Sequence, residues 1–354
     1  MSYTPYQAPI LSGLLGDGET AELFSVRAEL SAMLRFESEL AKSQASLEMI
    51  PAEAGAAIAT ACASFHADIQ ALGAGAAVDG VAVPELVRQL RAAIGEPYAS
   101  YCHYGATSQD VVDTALSIRL REVIAIFRTR IGGVDQELDL LVERFGANPL
   151  MARTRMQAAM PISVAHRLGN WRAPVSRLDE RLPQLEGRVT QLQLGGPVGD
   201  LAPYGEKGTQ LCRLLASSLD LSVPDRPWHT DRSAIVEFCD WMARLTGVLG
   251  KIGLDIALMA QNGIEEVRLS GAGRSSAMAH KQNPILAEAM VTLSRFTAVL
   301  DSGMHVSLVH EQERSGSAWA LEWMLLPQLC VASGAALRNT LKLLKSVEWM
   351  GTPS

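Results

Sequence analysis

The most unusual stretch of the chain runs Ser270, Gly271, Ala272, Gly273, Arg274, Ser275, Ser276, Ala277, Met278, Ala279, His280, Lys281, Gln282, Asn283, Pro284. It sets two serines, a histidine, a lysine, an asparagine and an arginine close together, immediately before a strongly apolar segment. Small residues with cations and amide donors describe a loop that closes over an anion and stabilises charge developing on it. A plain flexible polar loop is the simpler reading of the same composition. A second group, Gly105, Ala106, Thr107, Ser108, Gln109 and Asp110, followed by Asp113 and Thr114, stands just before a long helical pattern. Thr107 with Asp110 three residues later resembles a capping box, with Asp in place of Glu. The same hydroxyls and free N–H groups at a helix start also suit a carboxylate.

A third group gathers Arg153, Thr154, Arg155, Gln157, His166 and Arg167, read here as polar positions on a helix. Other motifs fail. His310, Glu311, Gln312, Glu313, Arg314 lacks the second histidine of H-E-x-x-H, and His305 and His310 are too far apart in phase to share a helix face. No metal site is expected. Gly271 and Gly273 lack the third glycine of a dinucleotide fingerprint, its place being taken by Ser276, and no strand is expected before them. There is no phosphate-cradling G-x-x-x-x-G-K-[ST] and no G-x-S-x-G elbow. Chemistry without a cofactor is what remains.

Helical elements must position these groups. Apolar residues recur in steps of three and four at Ile235, Phe238, Trp241, Met242, Leu245, Val248, Leu249, Ile252, Ile256 and Met259, one face of a long helix. Similar stripes run from Val112 to Phe127 and from Leu286 to Leu300. The spacing predicts a further helix over 157–194, with possible kinks at Pro161, Pro174 and Pro183, and another over 318–344, interrupted at Pro327. Strand signals are weak. Five such helices, each about 40 to 60 Å long, exceed what one compact chain needs and predict a bundle with partner chains. The expected class is all-α, with an N-terminal helical domain over 1–107 and a long-helix domain over 108–354 carrying the loop 270–284.

A net charge of −7 argues against nucleic acid or an anionic membrane as a partner, since both call for a basic footprint. Five scattered cysteines without a C-x-x-C suggest neither a disulfide framework nor a thiolate site, which fits a reducing cytoplasm. No signal h-region or membrane span is expected.

At these residues the sequence resembles the fumarase/aspartase superfamily, whose signature is a loop of the form G-S-S-x-M-P-x-K-x-N-P preceded in the chain by a T-S-x-D segment. Arg274 stands where the loop glycine would be, and Ala279 replaces the loop proline. Within the superfamily the resemblance is narrowest to cycloisomerases that lactonise carboxylated muconates. It rests on Cys102 to Thr114, Leu194 to Ala202, Pro227 to Arg232 and His310 to Trp323. The lyases' T-H-x-Q histidine is replaced in Thr154, Arg155, Met156, Gln157, which excludes a histidine acid/base there and favours a cycloisomerase over a lyase. Glu288, at the position of that histidine's acidic partner, is retained, so an ion pair between Arg155 and Glu288 is expected. The chain stops soon after Trp349, where superfamily members add a small C-terminal domain, and that domain is expected to be missing.

The resemblance implies a fumarase/aspartase-like bundle assembled as a homotetramer, each site shared between subunits. It implies lactonisation of 3-carboxy-cis,cis-muconate, a small anionic tricarboxylate, without metal or cofactor. Ser275 would transfer the proton, and Lys281 and Asn283 would hold the carboxylate whose charge grows. His103, Thr107, Ser108, Arg155, Gln157, Ser276, Met278 and Glu288 would meet the rest of the substrate. An adenylosuccinate- or argininosuccinate-type lyase, a cycloisomerase of a related muconate such as a sulfomuconate, and a non-catalytic helical scaffold stand as alternatives.

Overall fold

The computed structural model describes residues 4, 8–271, 273–274, 278 and 282–353, with the side chain of Arg274 left aside. Two short helices, α1 (Ser12–Leu15) and α2 (Gly18–Glu22), lead into α3 (Val26–Ser46), α4 (Ala52–Ala63), α5 (Ile69–Asp79) and α6 (Val83–Ile94). The bundle follows: α7 (Ser108–Phe145), strands β1 (Pro149–Thr154) and β2 (Gln157–Ser163), α8 (Val164–Val189) and α9 (Gly208–Leu219). After α10 (Ser233–Met259) come β3 (Val267–Leu269), β4 (Gly273–Arg274) and β5 (Gln282–Asn283), then α11 (Ile285–Val306), α12 (Ser317–Lys345) and β6 (Val347–Met350). The all-α expectation holds.

Side-chain caps set several starts: Asp17 accepts from Glu19 N–H, Ser25 from Ala28 N–H and Ser163 from His166 N–H. Buried apolar side chains form two clusters. One is the bundle interior, drawn from most of α7 and from α8, α10, α11 and α12, with Phe127, Trp171, Phe238 and Trp241 among its large members. The other joins α3, α4 and α6 to α9 and the first turns of α7, through Val111, Val112, Ala115 and Ile118. Helix α7 is therefore common to both. Helix α12 is long and apolar enough to cross a membrane, but the bundle buries 61% of its most apolar window.

Two expectations fail. The helix predicted over 157–194 begins only at Val164; the residues before it form an antiparallel hairpin in which Thr154 pairs Gln157. Its turn residues, Arg155 and Met156, both have positive φ, 51° and 67°. This is the primed-turn conformation, unusual without glycine or asparagine, and no apolar periodicity announces it. Pro161 lies in β2, while α8 runs through Pro174 and Pro183, and α12 runs uninterrupted through Pro327. Three two-stranded ribbons also replace the expected absence of strands. One of them, β3 with β6, places a strand just before Gly271. The dinucleotide fingerprint is then rejected on its missing third glycine alone.

Candidate active site

The start of α7 is built around two buried aspartates. Asp110 accepts from the backbone N–H groups of Thr107 (3.0 Å), Gly195 (2.9 Å) and Gly196 (3.0 Å), and its Oδ1 lies 2.8 Å from His229 Nε2. Thr107 sits in extended conformation as the N-cap and forms a capping box with Asp110. Asp110 is thus spent on holding the cap and the 195–196 turn against each other. One helical turn on, Asp113 Oδ2 accepts from Arg232 Nη1 at 2.7 Å, and its Oδ1 from Trp319 Nε1 at 3.1 Å. Arg232 is completely buried, turns its Nη2 to Glu322 at 2.7 Å, and lies over the Trp228 ring. His310 Nε2 is 3.3 Å from Glu322. The H-E-x-x-R segment thus serves an ion-pair network, and the four segments that carry the cycloisomerase resemblance converge on it.

In front of this network stand His103, Thr107 and Ser108. His103 has φ 62°, and its Nδ1 lies 2.6 Å from Oε1 of the buried Glu37. Burial pulls the imidazole's pKa down, but the Glu37 charge and hydrogen bond outweigh it, with Asp110 adding to them, so the His103 pKa is raised above its ordinary value. Gln44 Nε2 donates to Tyr104 O at 2.8 Å, steadying the same turn. Gly105 requires its lack of a side chain: φ is +73°, and a Cβ would fall 2.5 Å from the Tyr204 ring. Arg314 Nη1 donates to Thr107 Oγ1 at 2.7 Å. The N–H groups of Ser108 and Gln109 open the helix, with no carbonyl one turn back to receive them. An imidazole whose protonated form is favoured, two hydroxyls and a helix start make a local anion site in an acidic protein.

The remaining expected site residues lie elsewhere. Arg155 is exposed at the β1–β2 turn, beside a cavity of about 380 Å³. There Arg153 pairs with Glu266 at 2.6 Å and Lys251 pairs with Asp255. Among the described residues Arg155 pairs with no carboxylate, and the expected ion pair with Glu288 does not form there. Gln157 is exposed in β2, and Glu288 is exposed in the first turn of α11. Asn283 is half-buried in β5, opposite Gly273, and Met278 is exposed. Ser275, Ser276 and Lys281 lie outside the described residues. Thr107 and Arg155 flank opposite ends of α7, whose 38 residues at 1.5 Å each span about 57 Å. A group of Asp240, Asp301 and His305 brings possible metal ligands within 4.8 Å of one another, among the described residues, but two of its members already pair, His305 Nε2 with Asp240 Oδ1.

Glu37, Arg232 and Arg314 were not singled out from sequence. Glu37 had a readable signal, a carboxylate set into the apolar stripe Met33, Phe36, Leu40, Ala41 of α3. Arg232 and Arg314 had none beyond the resemblance, because their partners are distant in sequence.

A sequence model of the lyases matches residues 18–296. The chain belongs to this lyase family. Among relatives of this lyase, a 3-carboxy-cis,cis-muconate cycloisomerase of Pseudomonas aeruginosa is 36% identical over 332 residues, covering 92% of this chain and 72% of its own. One from Acinetobacter baylyi is 34% identical over 348 residues, covering 96% and 77%. Among solved structures, the 3-carboxy-cis,cis-muconate lactonizing enzyme of Pseudomonas putida superposes with a TM-score of 0.90 at 34% identity, covering 95% of this chain and 76% of that one. The long-helix bundle is the lyase fold expected from the signature segments.

Proposed function

We propose that the protein is a cycloisomerase that closes 3-carboxy-cis,cis-muconate to 4-carboxymuconolactone. The observation that carries this reading is the likeness to muconate cycloisomerases along more than nine-tenths of the chain. The anion site at the start of α7 supports it chemically. In the reaction one carboxylate oxygen forms a C–O bond to a conjugated double bond. The π electrons shift to the carbon beside the acceptor carboxyl, and that carbon takes a proton. The costly species is the dianionic aci-carboxylate reached before protonation, and preorganised donors lower it. Tethering the nucleophile makes orientation the other large contribution.

Within this reading Ser275 gives the proton to carbon and its alkoxide recovers one from water. A serine hydroxyl is too weak an acid unaided, so Lys281 and the loop N–H groups must stabilise the alkoxide. Lys281 and Asn283 hold the carboxylate where charge grows; Ser276 and Met278 line the same loop. Thr107, Ser108 and protonated His103 anchor another carboxylate, and Arg155, with Gln157 and Glu288 near it in the assembled site, meets the third. That assignment calls for more than one subunit, since Thr107 and Arg155 flank opposite ends of α7, a helix about 57 Å long. An Arg155–Glu288 pair would likewise have to bridge subunits. A homotetramer of bundles satisfies both, and exposed Val299, Val306, Val309 and Met324 give apolar area for it. Five free, buried cysteines suit a cytoplasmic location.

The test is spectrophotometric: loss of muconate ultraviolet absorbance with 3-carboxymuconate, run beside a sulfonate analogue, adenylosuccinate and argininosuccinate. Turnover of a succinyl substrate in place of the muconate would overturn the reading. Preference for the sulfonate would move the specificity and keep the reaction.

A further inference from the structure

Arg314 has an arrangement that a surface cation does not. Its Nη1 donates to Thr107 Oγ1 at 2.7 Å, its Nη2 to the carbonyl of Pro197 at 2.9 Å, and its buried Nε–H has no partner among the described residues. One guanidinium therefore bolts together the cap of α7, the 194–202 loop and the 310–316 loop. A guanidinium has no acceptor atom, so in the contact with Thr107 the hydroxyl oxygen must accept. The hydroxyl has a single proton, and that proton is turned away from Arg314. A threonine hydroxyl left to itself rotates freely between donating and accepting; this one is fixed as a donor toward whatever lies in front of α7.

We propose that Arg314 is a positioning residue for substrate: it locks the Thr107 hydroxyl as a hydrogen-bond donor to a substrate carboxylate at the start of α7. This rests on the reading that the α7 start holds a carboxylate, and extends it to a residue that does not itself touch the reacting atoms. The guanidinium charge directly behind the hydroxyl also strengthens the bond that Thr107 makes, since a donor polarised by a cation binds an anion more tightly.

The experiment is a double-mutant cycle in steady-state kinetics with 3-carboxymuconate, using Arg314→Gln, Arg314→Lys, Thr107→Val and the combinations. Thr107→Val and Arg314→Gln are each expected to raise KM about ten- to hundredfold, the usual effect of losing one charge-assisted hydrogen bond, with kcat changed by no more than about threefold. The double variant should be no worse than Thr107→Val alone, because Arg314 acts through that hydroxyl. Arg314→Lys keeps a cation and one donor and should recover most of the KM; should Arg314→Gln fail to fold, Arg314→Met, which keeps the apolar stem, takes its place in the cycle. An unchanged KM in Arg314→Gln, a lysine variant as impaired as the glutamine one, or KM effects that multiply in the double variant would each overturn the proposal while leaving the α7 reading intact. If Thr107→Val itself leaves KM unchanged, the carboxylate reading of α7 fails, and the proposal with it.

Discussion

Replacing Arg232 by methionine tests whether the polar network beneath the α7 start is held by charge. Arg232 is fully buried, faces Asp113 at 2.7 Å and 3.1 Å, and reaches Glu322 through both Nε and Nη2. Methionine fills similar volume but leaves two buried carboxylates without their shared cation, a loss of about 3 to 5 kcal/mol for a broken buried pair. The unfolding entropy of 354 residues at about 2.1 cal/mol/K each is roughly 0.74 kcal/mol/K, so the apparent Tm should fall by about 4 to 7 °C at pH 8. The pH dependence is the sharper readout. Burial raises the Glu322 pKa, but Arg232 and His310 outweigh it and hold the carboxyl below its ordinary value of 4.5. In the native protein its contribution is therefore complete above about pH 4.5 and lost only as pH falls through the lower folded value. In Arg232→Met the sign reverses. Burial without the arginine pushes the carboxyl up, the folded state binds the extra proton, and stability rises as pH falls from 8 to 5. The Tm gap between the two proteins, read by circular dichroism at several pH values, should shrink over that range. A gap that is constant with pH, or under about 1 °C at pH 8, would refute the reasoning that charge holds the network.

Other predictions concern the site. Ser275→Ala should cut kcat by orders of magnitude while KM stays near the native value; near-normal turnover removes Ser275 as proton donor. A Thr107→Val, Ser108→Ala chain and an Arg155→Glu chain, each inactive alone, should regain a fraction of native activity when unfolded together and refolded, because mixed assemblies contain sites free of both lesions. Absence of any recovery would mean that the two ends of α7 do not meet across subunits. Glu37→Gln removes the charge that raises the His103 pKa, so the pH at which KM begins to climb should move down relative to the native protein. An unshifted KM profile would show that His103 does not bind substrate as a cation.

Legibility differed by element for physical reasons. Helices α7, α10, α11 and α12 were readable because each packs one apolar stripe into the bundle, and a stripe at period 3.6 is written locally. The β1–β2 hairpin was not, because its strands are mostly exposed and its turn uses Arg155 and Met156 in place of residues that favour positive φ. The Thr107 cap was legible for the same reason as the stripes: its partner Asp110 is three residues away. Glu37, Arg232 and Arg314 act on partners 66, 119, 90 and 207 positions distant, separations at which spacing carries no information.

That contrast bears on what the resembling segments are for. Residues 102–114, 194–202, 227–232 and 310–323 look like a scattered catalytic signature, yet their central charged side chains are turned inward. Asp110 is saturated by three backbone N–H groups and His229, and Asp113, Arg232 and Glu322 are sealed from solvent. A carboxylate with every oxygen engaged cannot serve as a proton shuttle without breaking the bonds that fix it. The likeness at these positions therefore records a requirement for geometry: the cap of α7 must be held so that Thr107, Ser108 and His103 face one way. Arg155, by contrast, is exposed in the hairpin that follows the other end of α7.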